Sequence, residues 1–239
     1  RRVEGYHFDM RKHLVEYDEV VNQHRELIYK ERCKVLGGAD LRSNVMAMVK
    51  NEFCNIVSKN SILDITDSII HRLVSTHFTP DMSESDLERT IRGISSQIPV
   101  PSWFNVEILS RMEASDIEKE LIEYVESGYE RWVKCMDRGG DVDEESMQIV
   151  ERFIMPVLLR EIGTIFPVPP SLDAHTLAHT RPGLIEELIY STAESVYREH
   201  EQAISMENMR MVERRILLHF LDRLWVEHLT MMEDKRREA

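Results

Sequence analysis

Tyr6-His7-Phe8-Asp9-Met10-Arg11-Lys12-His13-Leu14-Val15-Glu16-Tyr17-Asp18-Glu19-Val20-Val21 decides the fold class, because its apolar side chains return at steps of four and three. The pattern runs through Met10, Leu14, Tyr17 and Val21 to Ile28 and Val35, with His24 and Glu31 as polar interruptions. That spacing places one stripe along one face of a helix and predicts a single amphipathic helix from Tyr6 to Leu36. At about 1.5 Å per residue it would be about 45 Å long, enough to span several neighbours. Gly37-Gly38 is the expected stop. Val15, Val20 and Leu27 widen the stripe beyond what one neighbour needs, so part of it is expected to face a further partner.

Working outward, the same spacing predicts helices at about 41–59, 62–77 and 84–97, the last opened by Ser83 or Ser85 and ended by Pro99-Val100-Pro101. Ser115-Asp116-Ile117-Glu118 has the spelling of a capping box for a helix that runs to Asp137 and breaks at Arg138-Gly139-Gly140. A helix at about 143–163 carries Pro156 as a kink or break, a Pro-rich loop extends from Phe166 to Gly183, and helices at about 184–204 and 206–236 complete the chain. No segment alternates as a strand does, so the predicted fold is all-α: a long scaffold helix packed with the final helix, plus a multi-helix domain.

The final helix presents Ile216, Leu217, Phe220, Leu221, Leu224, Trp225 and Leu229 over more than half its circumference. A surface of that breadth favours association, with a missing partner or as a homodimer.

The bulk composition agrees with a globular helical chain. It has 239 residues, 42% hydrophobic, with only 9 Gly and 8 Pro, and no run approaches the roughly 18 apolar residues of a membrane span. A formal net charge of -13 has the wrong sign for neutralising phosphates and argues against a nucleic-acid partner. Cys33, Cys54 and Cys135 form no CxxC pair and suit a reducing cytoplasm. The opening Arg1-Arg2-Val3-Glu4 contains no signal peptide, and both ends read as cuts through a longer chain.

Sliding the chain by 68 positions superposes Pro99-Val100-Pro101 on Pro167-Val168-Pro169, Leu109 on Leu177, Ile117-Glu118 on Ile185-Glu186, and Tyr129 on Tyr197. After Arg138-Gly139-Gly140 the offset becomes 62, and Val150-Glu151-Arg152 falls on Val212-Glu213-Arg214. The matching order predicts a duplicated helical hairpin, with units at about 87–154 and 155–222.

The stretch His7-Phe8-Asp9-Met10-Arg11-Lys12-His13-Leu14-Val15-Glu16-Tyr17-Asp18-Glu19-Val20 resembles the SecA pattern N-F-D-x-R-K-x-L-x-E-Y-D-D-V. It continues more loosely through Asn22, Arg25, Ile28-Tyr29 and Arg32, with His7, Glu19 and His24 as mild departures. Near the other end, Leu221-Asp222-Arg223-Leu224-Trp225-Val226-Glu227-His228-Leu229, followed by Met232, is similar to the family's I/L-D-x-L-W-x-E-H-L. The resemblance is strong at both ends, weak over the first half of the middle, and recovers around Leu158 to Tyr197. It implies a helical scaffold domain at 1–50 and 206–239, interrupted by a helical wing domain at 51–205 that is longer than the family's usual wing.

The family's known workings then set further expectations. SecA hydrolyses ATP between two RecA-like domains, along which the scaffold helix packs, while a two-helix finger enters the SecYEG channel. The resemblance implies that 206–236 is the first arm of that finger and that this chain transmits force without catalysing anything. ATP and Mg would be held by segments upstream of Arg1. The implied partners are the SecA ATPase domains, the SecYEG channel and preprotein substrates, at the cytoplasmic face of the cell membrane. Neither the finger's return helix nor the family's zinc-binding Cys-rich tail falls within these 239 residues.

Direct chemical signals are sparse. No GxxxxGK[ST] loop is present to cradle phosphates, so no cofactor site is expected. Asp173, His175 and His179 come nearest to a metal cluster, yet Pro169-Pro170 and Pro182 beside them favour a solvated loop, and no metal site is expected. Glu227-His228 cannot converge as neighbours on a helix, and Glu16-Tyr17-Asp18 reads as one apolar contact between two solvated carboxylates. No catalytic residue is expected. An independent helical adaptor is the alternative reading, and a helical enzyme would need a deep pocket holding several charges of perturbed pKa.

Overall fold

Helix-forming periodicity governs nearly the whole chain. The structure, a computed structural model, describes the backbone of residues 2–37, 40–79 and 82–238, and the side chains of these except 2–14, 16, 59, 60 and 238. The elements are α1 (Arg2–Leu36), α2 (Leu41–Val57), α3 (Lys59–His77), α4 (Glu84–Ser95), α5 (Val106–Leu109), α6 (Ala114–Arg138) and α7 (Glu144–Ile149), then a π turn (Val150–Ile154). They continue with α8 (Met155–Ile162), α9 (Ala174–Ala178), α10 (Pro182–Ile204) and α11 (Met206–Glu238). Among the described residues there is no strand, so the fold is all-α.

The chain divides into two compact units: Arg1–Met46 with His200–Ala239, and Ala47–Glu199. Both divisions fall inside helices, α2 and α10.

The second unit, Ala47–Glu199, holds the hydrophobic core. Phe53, Ile70, Ile94, Trp132, Ile149 and Leu158 are among the fully or almost fully buried side chains of one continuous cluster. α6 is the centre of it, packed on α3 and α7, while α8 and α9 close on the π turn. Its Gly128 is where Ile149 approaches: a Cβ built there would lie 2.4 Å from Ile149 Cδ1, so only glycine admits this contact without movement.

Local chemistry sets most boundaries. Ser83 accepts a hydrogen bond from Asp86 N to open α4, and Gly139 ends α6 in the left-handed region at φ 68°, where a side chain would be strained. Ser115 does not cap α6. The helix begins one residue before it, after Glu113, which makes no side-chain cap bond, and Glu118 turns instead to His71. Pro156 does not break its helix. Met155 N reaches back to Val150 O, so the chain widens into a π turn just before the residue that has no N–H to donate. The expected loop at Phe166–Gly183 contains a helix, α9, opened by Asp173, and α10 starts at Pro182, the position where a missing N–H costs nothing.

The two segments matched at offset 68 carry the same local devices. Asn105 caps α5 and Asp173 caps α9; α6 starts at Ala114 and α10 at Pro182, 68 positions on. Leu109, Ile117, Leu121 and Val125 are buried, as are Leu177, Ile185, Ile189 and Ala193 at the matching positions.

Candidate functional site

In the first unit the long helices α1 and α11 pack on each other. Along α1 the half-buried positions are Tyr17, Val21, His24, Ile28 and Arg32, ending at buried Val35, the four-and-three spacing that amphipathicity requires. Met10 and Leu14 lie outside the described side chains. Arg32, not Glu31, occupies the stripe: it binds Asp222 of α11, while Glu31 faces solvent and pairs with Lys34 at 2.6 Å. From α11, Leu217, Leu221, Trp225, His228 and Leu229 are half-buried. His24 Nδ1 and His228 Nε2 meet at 3.0 Å with His228 stacked on Trp225, so one ring donates and the other accepts.

This pair leaves much apolar surface open. Val15, Leu27 and Tyr29 of α1 are 66%, 59% and 68% exposed, and Ile216, Phe220 and Leu224 of α11 form an outward row at 49%, 51% and 57%. The only described apolar side chains buried in this unit are Val35, Leu41 and Met46. Two helices sharing so small a core leave these apolar side chains open, and a row such as Ile216, Phe220 and Leu224 is of the kind that marks an interaction surface.

What the first unit buries instead is charge. Glu201 and Glu213 are 8% and 5% exposed. Arg210 binds Glu201 and donates to both oxygens of Glu213, at 3.0 and 2.7 Å, while Arg42 lies 3.6 Å from Glu201. Burial pushes the Glu213 carboxyl above its ordinary range, Arg42 pulls it down, and Asp40 pushes it up. Asp40 is otherwise occupied at the start of α2, accepting from Ser43 N and Ser43 Oγ. No single-sequence signal singles out Arg210 and Glu213, which look like ordinary charges on a solvated helix face.

Among the described residues, the two side chains of Glu227-His228 point to different partners. Glu227 is held by Arg223 at 2.9 Å, whereas its neighbour His228 faces His24. Tyr17 sits under the Arg236 guanidinium, with Asp18 exposed beside it; Glu16 lies outside the described side chains. Cys54 Sγ donates to Glu186 at 2.9 Å, and that bond raises the thiol's pKa, the opposite of activation. A groove of about 750 Å³ beside α4 and α5 is lined by Phe78, Met82, Leu87, Leu109 and Met112, with Glu113 at its edge. The carboxyls with raised pKa, Asp67 and Glu213, lie elsewhere.

Asp67 of α3 illustrates a purely structural perturbation. Its Oδ1 is buried without a hydrogen-bond partner, and burial, then the charges of Glu126 and Asp64, raise its pKa. The folded state therefore favours the protonated acid, and the ionised form costs stability above the folded pKa. Asp67→Asn is expected to stabilise the second unit by about 1 kcal/mol at pH 7, with the gain fading as pH falls through the folded pKa toward 3.8. Thermal melts of both proteins at pH 7 and pH 3.5 measure this; an equal difference at the two pH values would contradict it.

Of the three residues expected nearest to a metal cluster, the structure joins two and replaces the third. Asp173 is spent on the cap of α9, accepting from Thr176 N at 2.8 Å. Glu151 of the π turn takes its place, 3.0 Å from His175 Nδ1, with the His179 ring tilted at 40° to that of His175 and 4.1 Å from it between ring centres.

The fold and this face define a class: an all-helical module with one self-contained unit and one unit built on a long helix pair with an open apolar side. The family described as SecA Wing and Scaffold domain matches residues 1–238. The chain belongs to that family. A protein translocase subunit SecA of Dehalococcoides mccartyi is 33% identical over 238 residues, covering 100% of this chain and 16% of the relative. Those of Roseiflexus sp. and Clostridium acetobutylicum are each 28% identical, over 99% and 98% of this chain and 16% and 18% of their own lengths. The chain thus spans about a sixth of the curated relatives it matches. No solved structure matches it. No described helix is long and apolar enough to cross a membrane.

Proposed function

We propose that this chain is the scaffold and wing part of a SecA-type preprotein translocase, a structural element that passes force between an ATPase core and the protein-conducting channel and hydrolyses nothing itself. ATP and Mg would bind to the core, and the SecYEG channel and preproteins would be met by the whole motor at the cytoplasmic face of the membrane. The observation that carries this reading is the open apolar row Ile216, Phe220 and Leu224 on α11, together with Leu27 and Tyr29 on α1. A force-bearing rod must be fastened along its length, and apolar side chains left half-exposed on paired helices suit that fastening. The wing's length is accounted for by duplication of a capped short helix followed by a long one, which the paired caps Asn105 and Asp173 support.

The test is ATP turnover by the chain alone and mixed with a separately expressed ATPase core. No turnover alone, with binding to the core and altered turnover in the mixture, is the expected result; turnover by the chain alone overturns the reading. Phe220→Glu with Leu224→Glu sharpens it. Both side chains are more than half exposed, so the double variant is expected to keep helix content and shift stability by less than about 1 kcal/mol. Its affinity for the core is expected to fall at least about a hundredfold, two buried charges costing roughly 3 kcal/mol or more. Unchanged affinity by calorimetry would show that this face is not the fastening.

A further inference from the structure

Glu151, His175 and His179 come from two elements of the second unit, the π turn and the α9 region, and gather at its surface with one ligand atom of each within 4.8 Å of the others. The carrier elements are themselves fixed. α9 is held at its start by the Asp173 cap and at its end by the Trp132 indole, which donates to Ala178 O at 2.9 Å. Glu151 rides on a π turn, a geometry that displaces a side chain from the ordinary helical register and recurs at functional sites.

The hydrogen bonds also fix which nitrogen is available. His179 Nδ1 lies 2.9 Å from the His175 carbonyl oxygen. A carbonyl only accepts, so the proton resides on Nδ1 and the lone pair of Nε2 is left facing outward for a ligand. A backbone carbonyl on the far nitrogen is the usual support of a metal-binding histidine. His175 Nδ1 and Glu151 Oε1, 3.0 Å apart, share one proton. That separation is close to the roughly 3.3 Å between neighbouring ligands of a tetrahedral zinc ion with bonds of about 2.0–2.1 Å. His179 is exposed and its ligand atom already lies within 4.8 Å of those of the other two, so Glu151 and His175 can move toward it while its Nδ1 keeps the carbonyl.

We propose that Glu151, His175 and His179 form a zinc site that ties α9 to the π turn. The ion takes His179 through Nε2, and Glu151 and His175 through the atoms that now face each other. The proton these two share passes to solvent, and water fills the fourth position. Two imidazoles and a carboxylate are a donor set suited to zinc. The pair His71–Glu118 of the same unit, also at 3.0 Å, is the internal contrast: the same residue types, with no second histidine among the described residues.

Calorimetric titration of the full chain with zinc chloride, and the visible spectrum with cobalt(II) as a geometric probe, test the proposal. One ion is expected to bind per chain, giving a tetrahedral cobalt spectrum and raising the melting temperature. His175→Ala, His179→Ala and Glu151→Gln are each expected to weaken zinc binding at least about tenfold. His71→Ala and His228→Ala are expected to leave it unchanged. Circular dichroism shows whether each variant is folded. If one of the three variants unfolds, the other two still decide the matter. Absence of zinc binding by the wild-type chain, or wild-type affinity in folded His179→Ala, overturns the proposal.

Discussion

Trp132→Ala is expected to destabilise the second unit by about 5 kcal/mol, the largest effect of any single substitution proposed for it. Two losses add. The indole is completely buried and stacked on Tyr129 at 5.6 Å, so truncation opens a cavity that neighbouring helices can only partly fill. Such a change costs about 3–5 kcal/mol for a large aromatic residue. The second loss is polar. Ala178 ends α9, and four residues on stands Pro182, which has no N–H to offer its carbonyl. The Trp132 Nε1–H supplies the missing donor at 2.9 Å in a buried position, and removing it leaves an unpaired acceptor worth about 1–3 kcal/mol. Trp132→Phe separates the two, because it keeps most of the packing and loses the donor. It is expected to cost roughly 2 kcal/mol. Denaturant midpoints measured by circular dichroism, with hydrogen exchange at Leu177 and Ala178, read both variants; equal costs for Ala and Phe would mean that the hydrogen bond carries the whole effect.

Long elements were legible in the sequence because periodicity accumulates. The stripe Tyr17, Val21, Ile28 and Val35 repeats often enough to fix the inward face of α1, and Val15 and Leu27 fall on the open side that the excess apolar width implies. Short elements offer no such accumulation. α5 and α9 have four and five residues, about one turn each, and only their caps, Asn105 and Asp173, mark them. The shift from Glu31 to Arg32 on the α1 stripe has a similar cause: a rotation of one residue follows from a partner, Asp222, that lies far along the chain.

The Glu151–His175–His179 cluster was legible only in part, for a different reason. Sequence proximity put Asp173 beside His175, but a carboxylate two residues before a histidine that starts a helical turn is consumed by the free backbone N–H groups there. The carboxylate that reaches His175 comes from the π turn on the other side of the Pro-rich loop. A residue at a helix start should therefore be assigned to the cap before it is counted as a ligand. The same lesson applies to the buried Glu201 and Glu213, whose burial depends on Arg210 and on no local pattern.

Arg210→Met is the corresponding test in the first unit, expected to cost about 3–5 kcal/mol at pH 7. Arg210 binds both Glu201 and Glu213, and both are almost fully buried, so methionine fills the space of the side chain and leaves two buried carboxylates without the guanidinium that binds them, Arg42 remaining 3.6 Å from Glu201. The sign of the pH dependence follows from Glu213, whose folded pKa already lies above its ordinary value of 4.5 because of burial. A carboxyl with a raised folded pKa binds its proton more tightly in the native state, so acidification through that folded pKa toward 4.5 favours folding. Removing the guanidinium enlarges that rise. The deficit of Arg210→Met relative to wild type is therefore expected to shrink as the pH is lowered from 7 to 5, and to shrink again in the double variant Arg210→Met with Glu213→Gln at pH 7. Trp225 is the one tryptophan of the first unit, and its hydrogen-exchange protection, with that of its neighbours on α11, reports on this unit by itself. A deficit that stays constant with pH would mean that Arg210 acts through packing of its stem, with the carboxylates finding other partners.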